Sequence, residues 1–243
     1  MKTPILVSGI VVLALLGAGG GYLAGPLLDQ HVDEPGAASP LAGGTASTPS
    51  PPATPSQTPS VPLIRKTPQP NPLEALSEHM DFDLRNFTVS SELAGEVKLS
   101  LRIPAGWQFT PSKDKASEVR FVDSSGERAV RIESALTPDK SVKQALQDVL
   151  TNVQSSQPYQ NFVQPLFQGT GTVKDDDGNP RQVATLVYTY IPGATSRYVI
   201  VRFVATGDGS LATISMSVTG LPKEKKVLER ILAEATSSVQ IRD

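Results

Sequence analysis

The chain of 243 residues carries 22 Lys and Arg against 24 Asp and Glu, and no Cys. A nearly balanced charge excludes wholesale attraction of nucleic acid. The missing thiol excludes a disulfide framework, a cysteine nucleophile, an iron–sulfur or Cys-bearing zinc site, and lipidation at cysteine.

Residues 1–4 form a short amino end, and Ile5 to Leu28 then runs without a charged side chain. As a helix that stretch spans roughly 36 Å, enough to cross a hydrocarbon core of about 30 Å with some tilt. Residues 5–28 are therefore expected to be a transmembrane anchor. The competing reading is a cleaved secretory signal, but the run is longer than a signal core, and Tyr22 spoils a small-x-small site at Ala24. Lys2 precedes the run while Asp29, Asp33 and Glu34 follow it. The positive-inside tendency then keeps the amino end cytoplasmic and exports everything after it. The expected location is the cell membrane, single-pass, with the carboxyl-terminal domain extracytoplasmic.

Residues 29–71 read as a disordered Pro/Ser/Thr-rich linker. From Pro35 to Pro72 there are 11 prolines and 10 Ser or Thr, and the charged residues are Arg65 and Lys66. Such a composition buries little and favours an extended spacer, reaching on the order of 100 Å when taut.

Residues 72–243 are long enough to bury a core without staples. The Asn71 cap, Pro72 and Glu74 predict a first helix ending near Met80. Val97, Leu99, Leu101 and Ile103 alternate with polar residues as a half-buried strand, closed by Pro104-Ala105-Gly106-Trp107, with Trp107 folding over the edge of the core. Glu118–Asp123 and Glu127–Leu136 form a hairpin about Ser124-Ser125-Gly126. Ser141 and Gln144 make a capping box, and Val142, Ala145, Leu146, Val149, Leu150 and Val153 give one apolar helix face.

Four strands follow near residues 168–173, 182–191, 196–206 and 210–219, joined by turns short enough for an antiparallel meander. The strands opening at Gln182 and Ser196 are apolar on both faces and should be covered on both sides. A last helix opens at Pro222, with Val227, Leu228, Ile231, Leu232 and Ala235 as its stripe. The expected fold class is α+β, an antiparallel meander packed with amphipathic helices.

The order of strand, Ile-Pro-Ala-Gly-Trp, hairpin, amphipathic helix, long meander and closing helix resembles the PsbP-like domains of actinobacterial LpqN/LpqT-type envelope lipoproteins, over most of Glu96–Asp243. The resemblance implies a PsbP-like fold and a lipid-anchored envelope protein without established catalysis; the fold's plant relative is an extrinsic subunit on a membrane complex. Leu23-Ala24-Gly25 precedes Pro26 where a lipobox has its cysteine, so a retained helix would replace the lipid anchor.

Catalytic groups are not found. The domain's one histidine is His79, and His31 lies in the linker. Asp175-Asp176-Asp177-Gly178 fails the calcium-loop formula, since Pro180 and Leu186 stand where Gly and Glu are needed, and it reads as a hairpin turn. Asp81 and Asp83 lack apolar surroundings that would separate their pKa values. Catalytic, cofactor and metal assignments are therefore none.

The candidate ligand-binding residues are Arg202, Lys98, Arg102, Arg120 and Arg131. Arg202 interrupts an apolar strand face on which its planar fork could hold a carboxylate or phosphate, or from which its stem could snorkel to the rim. The other four fall on polar faces of strands taken as neighbours; they could gather as an anion or headgroup patch, or pair with Glu118 and Glu133 in a solvated salt-bridged face. The expected function is a non-enzymatic, membrane-anchored binding or accessory domain, with the bilayer and a membrane complex or envelope lipid as partners. The alternative is a carrier or sensor of a small amphiphile in an enclosed apolar pocket, and a hydrolase comes third.

Overall fold

The computed structural model describes residues 64–243 except 92–94, 114, 135–139, 208 and 243. The expected anchor and the linker up to residue 63 lie outside the described residues. Among the described residues, no helix is long and apolar enough to cross a membrane.

Two antiparallel sheets and two helices make up the α+β domain. A three-stranded sheet has the order β1 (Phe82–Ser91), β2 (Gly95–Pro104) and β10 (Gln240–Arg242). The seven-stranded sheet runs β3 (Gln108–Pro111), β4 (Glu118–Val122), β5 (Ala129–Ser134), β9 (Ile214–Gly220), β8 (Arg197–Val204), β7 (Pro180–Tyr190) and β6 (Gln164–Lys174). After β5 the chain crosses through α1 (Val142–Ser156) to the far edge, and the meander β6 to β9 returns to close on β5.

Each expected strand and both amphipathic helices fall where their patterns put them. Ser141 caps α1 with the reciprocal Gln144 bonds, and α2 (Lys225–Ser238) buries Val227, Leu228, Ile231, Leu232 and Ala235. The alternation of β7 and β8 splits the core into two layers. Val183, Val187, Tyr198, Ile200 and Val204 face α2 and the small sheet, where Trp107 also packs. Ala184, Leu186, Tyr188, Val199 and Val201 face α1. Burying each Val, Leu or Ile among them contributes about 1.5–3 kcal/mol before entropy is subtracted.

The helix expected over 71–80 does not form. Asn71 uses its cap oxygen, accepting from Leu73 N at 2.9 Å, but the backbone groups beyond it are taken by side chains of the folded body. Leu76 N donates to Glu224 Oε1 at 3.1 Å. Arg128 donates to Glu74 O, Lys223 to Leu73 O, and Arg230 to Glu78 O at 2.5 Å. Those bonds replace the intrahelical ladder, while Leu76 and Met80 still reach the core.

Residues 64–80 are therefore an extended strap. Its start is latched: Arg65 lies over the Tyr159 and Phe162 rings at 5.2 and 4.4 Å. Lys66 Nζ donates to Asn161 Oδ1, Pro192 O and Ile191 O at 2.5, 2.7 and 3.2 Å. Replacing Lys66 with Met should free the front of the strap without unfolding the domain. Hydrogen exchange at residues 64–70 is expected to speed up at least tenfold while Tm falls by about 3–12 °C, because bonds to one charged group are worth about 1.5–3 kcal/mol.

The small sheet also corrects a neighbour relation. β2 pairs with β1 and β10 rather than with β4, so Lys98 and Arg102 sit in a different sheet from Arg120 and Arg131. β1 was not expected because its alternation is broken: Leu84 is exposed, while Arg85 turns inward beside Phe87 and Val89, its guanidinium 5.9 Å from the Phe121 ring centroid.

Candidate functional site

On β8, the residues facing α2 are Tyr198, Ile200, Arg202 and Val204, three of which belong to the core layer. Alternation thus carries the Arg202 stem into apolar surroundings. Thr185, opposite Arg202 in the β7–β8 register, accepts from its Nε at 3.1 Å, and Thr236 in the last turn of α2 accepts from Nη1 at 3.2 Å. The Thr236 hydroxyl is itself fixed by donating to Leu232 O at 2.6 Å. Neither partner is an anion, and among the described residues no carboxylate pairs with Arg202. Burial accordingly pushes the Arg202 pKa down. A cation drawn from water without a counter-charge is costly, and the carbonyl end of α2 offsets only part of that.

Arg202 opens onto a cleft of about 270 Å³ between α2 and the ends of β2 and β6, where Arg102, Lys174, Glu234 and Ser237 also contribute. Arg102 Nη2 donates to Asp176 Oδ1 at 2.7 Å and to Ser237 Oγ at 3.0 Å. Its Nε lies 2.9 Å from Glu234 Oε2 but is not aligned for a hydrogen bond, so that contact is electrostatic only. Asp176 and Glu234 remain 40% and 33% exposed; ion pairs so wetted are worth about 0–1 kcal/mol and yield readily to a competing anion. Three cations thus meet two loosely held carboxylates.

Two of the five residues singled out from the sequence, Arg102 and Arg202, come together here. Lys174 was missed, because its place is set by the length of the β6–β7 hairpin and nothing local signals it. Asp175 behaves as a turn residue, its Oδ1 accepting from Asp177 N at 3.0 Å and Asn179 N at 2.8 Å, with Gly178 at φ +85. That turn carries Asp176 to Arg102. Lys98 stays on the exposed part of β2, in register with Thr88 and Arg242.

Arg120 and Arg131 stand directly opposite each other on β4 and β5. Glu118 Oε1 receives both, at 3.2 Å each, and Lys115 pairs with Glu133. The ion pairing matches expectation; the solvation does not, since Glu118 and Glu133 are 6% and 7% exposed. Burial pushes the Glu133 carboxyl up, against Lys115, which pulls it down. A carboxyl raised in the folded state favours the fold fully below its unfolded pKa of about 4.3, and that stability is lost as pH rises through the folded value. Glu133→Gln should therefore be at least as stable as the parent in thermal melts at pH 8, with its relative advantage gone by pH 4. A variant equally weakened at both pH values would contradict this.

A second cleft, of about 420 Å³, lies between the start of α1 and strands β6 and β7, lined by Ser141, Lys143, Thr170, Thr172, Gln182 and other small residues. Both clefts are open and have mixed polar and apolar walls, unlike the enclosed apolar chamber an amphiphile carrier calls for. Among the described residues no group of three or more His, Asp or Glu is placed to hold a metal ion.

Fold and cleft together define an all-antiparallel α+β domain with an arginine-lined surface site. The chain matches no protein-family model and no curated protein. Among solved structures it is similar to the Ran-binding protein Mog1p of Saccharomyces cerevisiae, at 14% identity over 66% of this chain and 97% of that one, with a TM-score of 0.42. Nothing about partner or activity passes between chains at that distance.

Proposed function

We propose that this protein is a membrane-anchored, non-enzymatic extracytoplasmic binding domain, an accessory part of a bacterial envelope complex, carried by a PsbP-like fold. Residues 5–28 hold it in the bilayer and the Pro/Ser/Thr-rich linker sets its reach. Support for the tether comes from the charge-free head and from the strap, whose latch at Arg65 and Lys66 fastens the end of the linker to the folded body. One observation carries the binding role: Arg202, a guanidinium in an apolar row that pairs with no carboxylate among the described residues, lines an open cleft shared with Arg102 and Lys174. A domain that needed only stability would do as well or better with an apolar residue at 202.

The test is photo-crosslinking in native membranes from a reactive residue replacing Ala233, exposed on the cleft wall, in the full-length protein. A discrete adduct that disappears when Arg202→Met is added supports the reading. Absence of any adduct, or an adduct indifferent to Arg202, contradicts it.

A further inference from the structure

Resting on that reading and narrowing it, we propose that the Arg102–Lys174–Arg202 cleft binds a phosphate group, as free phosphate or as the phosphate of a small headgroup. A guanidinium has five N–H donors, and Arg202 spends two of them on Thr185 and Thr236. Among the described residues its Nη2 has no hydrogen-bond partner and is not sealed in the interior, which leaves donors for a ligand in the cleft that Arg202 lines. Thr185 and Thr236 fix the guanidinium from behind by accepting from its Nε and Nη1. Lys174, at the end of β6, supplies a second cation from another wall.

Donors arriving from β2, β6 and β8 suit a tetrahedral group with several acceptor oxygens better than a planar carboxylate, which one fork satisfies. Arg102 joins by exchange. Its contacts with Glu234 and Asp176 are wetted, and a dianion between Arg102 and Arg202 outweighs the unaligned Glu234 contact.

Size limits what else enters. About 270 Å³ is at the small end for ligand sites, and the apolar side chains on its wall, Val173 and Ala233, are both short. A phosphate with a few attached atoms fits; an acyl chain gains nothing there. A phospholipid would be held by its head alone, with its tails elsewhere.

The experiment titrates the purified full-length protein in neutral detergent with inorganic phosphate, glycerol 3-phosphate and dihexanoyl phosphatidylglycerol, with sodium acetate as the planar control, following binding by calorimetry. Saturable binding of at least one phosphate probe is expected, at least tenfold tighter than acetate and weakened at least tenfold by Arg202→Met. Equal affinity for the two water-soluble phosphates points to the free ion, and preference for the short lipid points to a headgroup; both support the proposal. Lys174→Met provides a second variant, expected to weaken binding at least threefold, and Lys225→Met, at an exposed site outside the cleft, should bind as the parent does. Melting curves confirm that each variant is folded. Wild-type protein that binds no phosphate probe, or binds it no better than acetate, overturns the proposal, as does unchanged affinity in a folded Arg202→Met variant. The tethered accessory role survives that failure if the crosslink from position 233 persists.

Discussion

Replacing Arg128 with Met should lower stability by about 3–5 kcal/mol, because it strands a buried carboxylate. Arg128 is 6% exposed and Glu224 2%. Glu224 Oε1 receives Arg128 Nε at 2.9 Å and Nη2 at 2.5 Å, while Oε2 receives Leu221 N at 2.8 Å. Arg128 also holds Asp123 at 3.0 Å and the carbonyl of Glu74. One side chain thus joins the β4–β5 turn, the start of α2 and the strap.

For a domain of this size the loss corresponds to a fall in Tm of roughly 6–20 °C. Adding Glu224→Gln should recover part of it by removing the stranded charge, a coupling a double-mutant cycle detects. Acid should act on the same knot. Burial pushes Asp123 up, but bonds from Ser125 and Arg128 outweigh it and leave its pKa lowered. A lowered carboxyl contributes stability above its unfolded value, about 3.9, and loses it as pH falls through the folded one. Arg128→Met should therefore flatten the acid limb below about pH 4, relative to the parent.

The second large effect is expected at Gly220→Ala, about 1–3 kcal/mol of destabilisation by overpacking. A Cβ there would stand 2.8 Å from Glu224 Oε2 and 2.9 Å from Leu228 Cδ2. Leu228 is fully buried, and Glu224 is held by the bonds just described, so neither can step aside cheaply. Denaturant melts measure this directly; an Ala variant as stable as the parent would show that α2 shifts more freely over β9 than its packing implies.

Much of the architecture is legible in the chain because period and capping are local. The Ser141–Gln144 box fixes the start of α1, and the two-faced apolarity of β7 and β8 announces layers on both sides. What was not legible is tertiary. Asn71, Pro72 and Glu74 give a sound helix-start signal, and it loses to Glu224, Arg128 and Arg230, residues distant in sequence that take the backbone groups a helix needs. β1 hides behind Leu84 and Arg85, which sit on the faces opposite to their polarity. β3 and β10 have four and three residues, too few to show a period.

The site divides the same way. Arg202 stood out because a charge in an apolar strand row is a local anomaly. Arg102 was chosen on a neighbour relation that the second sheet removes, and it reaches the cleft through the small sheet instead. Lys174, Thr185 and Thr236 acquire meaning only once α2 is laid across β6 to β8.

The most direct test of the tethered, exported domain is limited proteolysis of intact cells expressing the full-length protein. Protease added outside should cut within residues 35–63 and release a resistant fragment that retains Arg65 and Lys66 at its start, the latch keeping the strap on the body. Full-length protein untouched in intact cells and cut only after lysis would contradict the account.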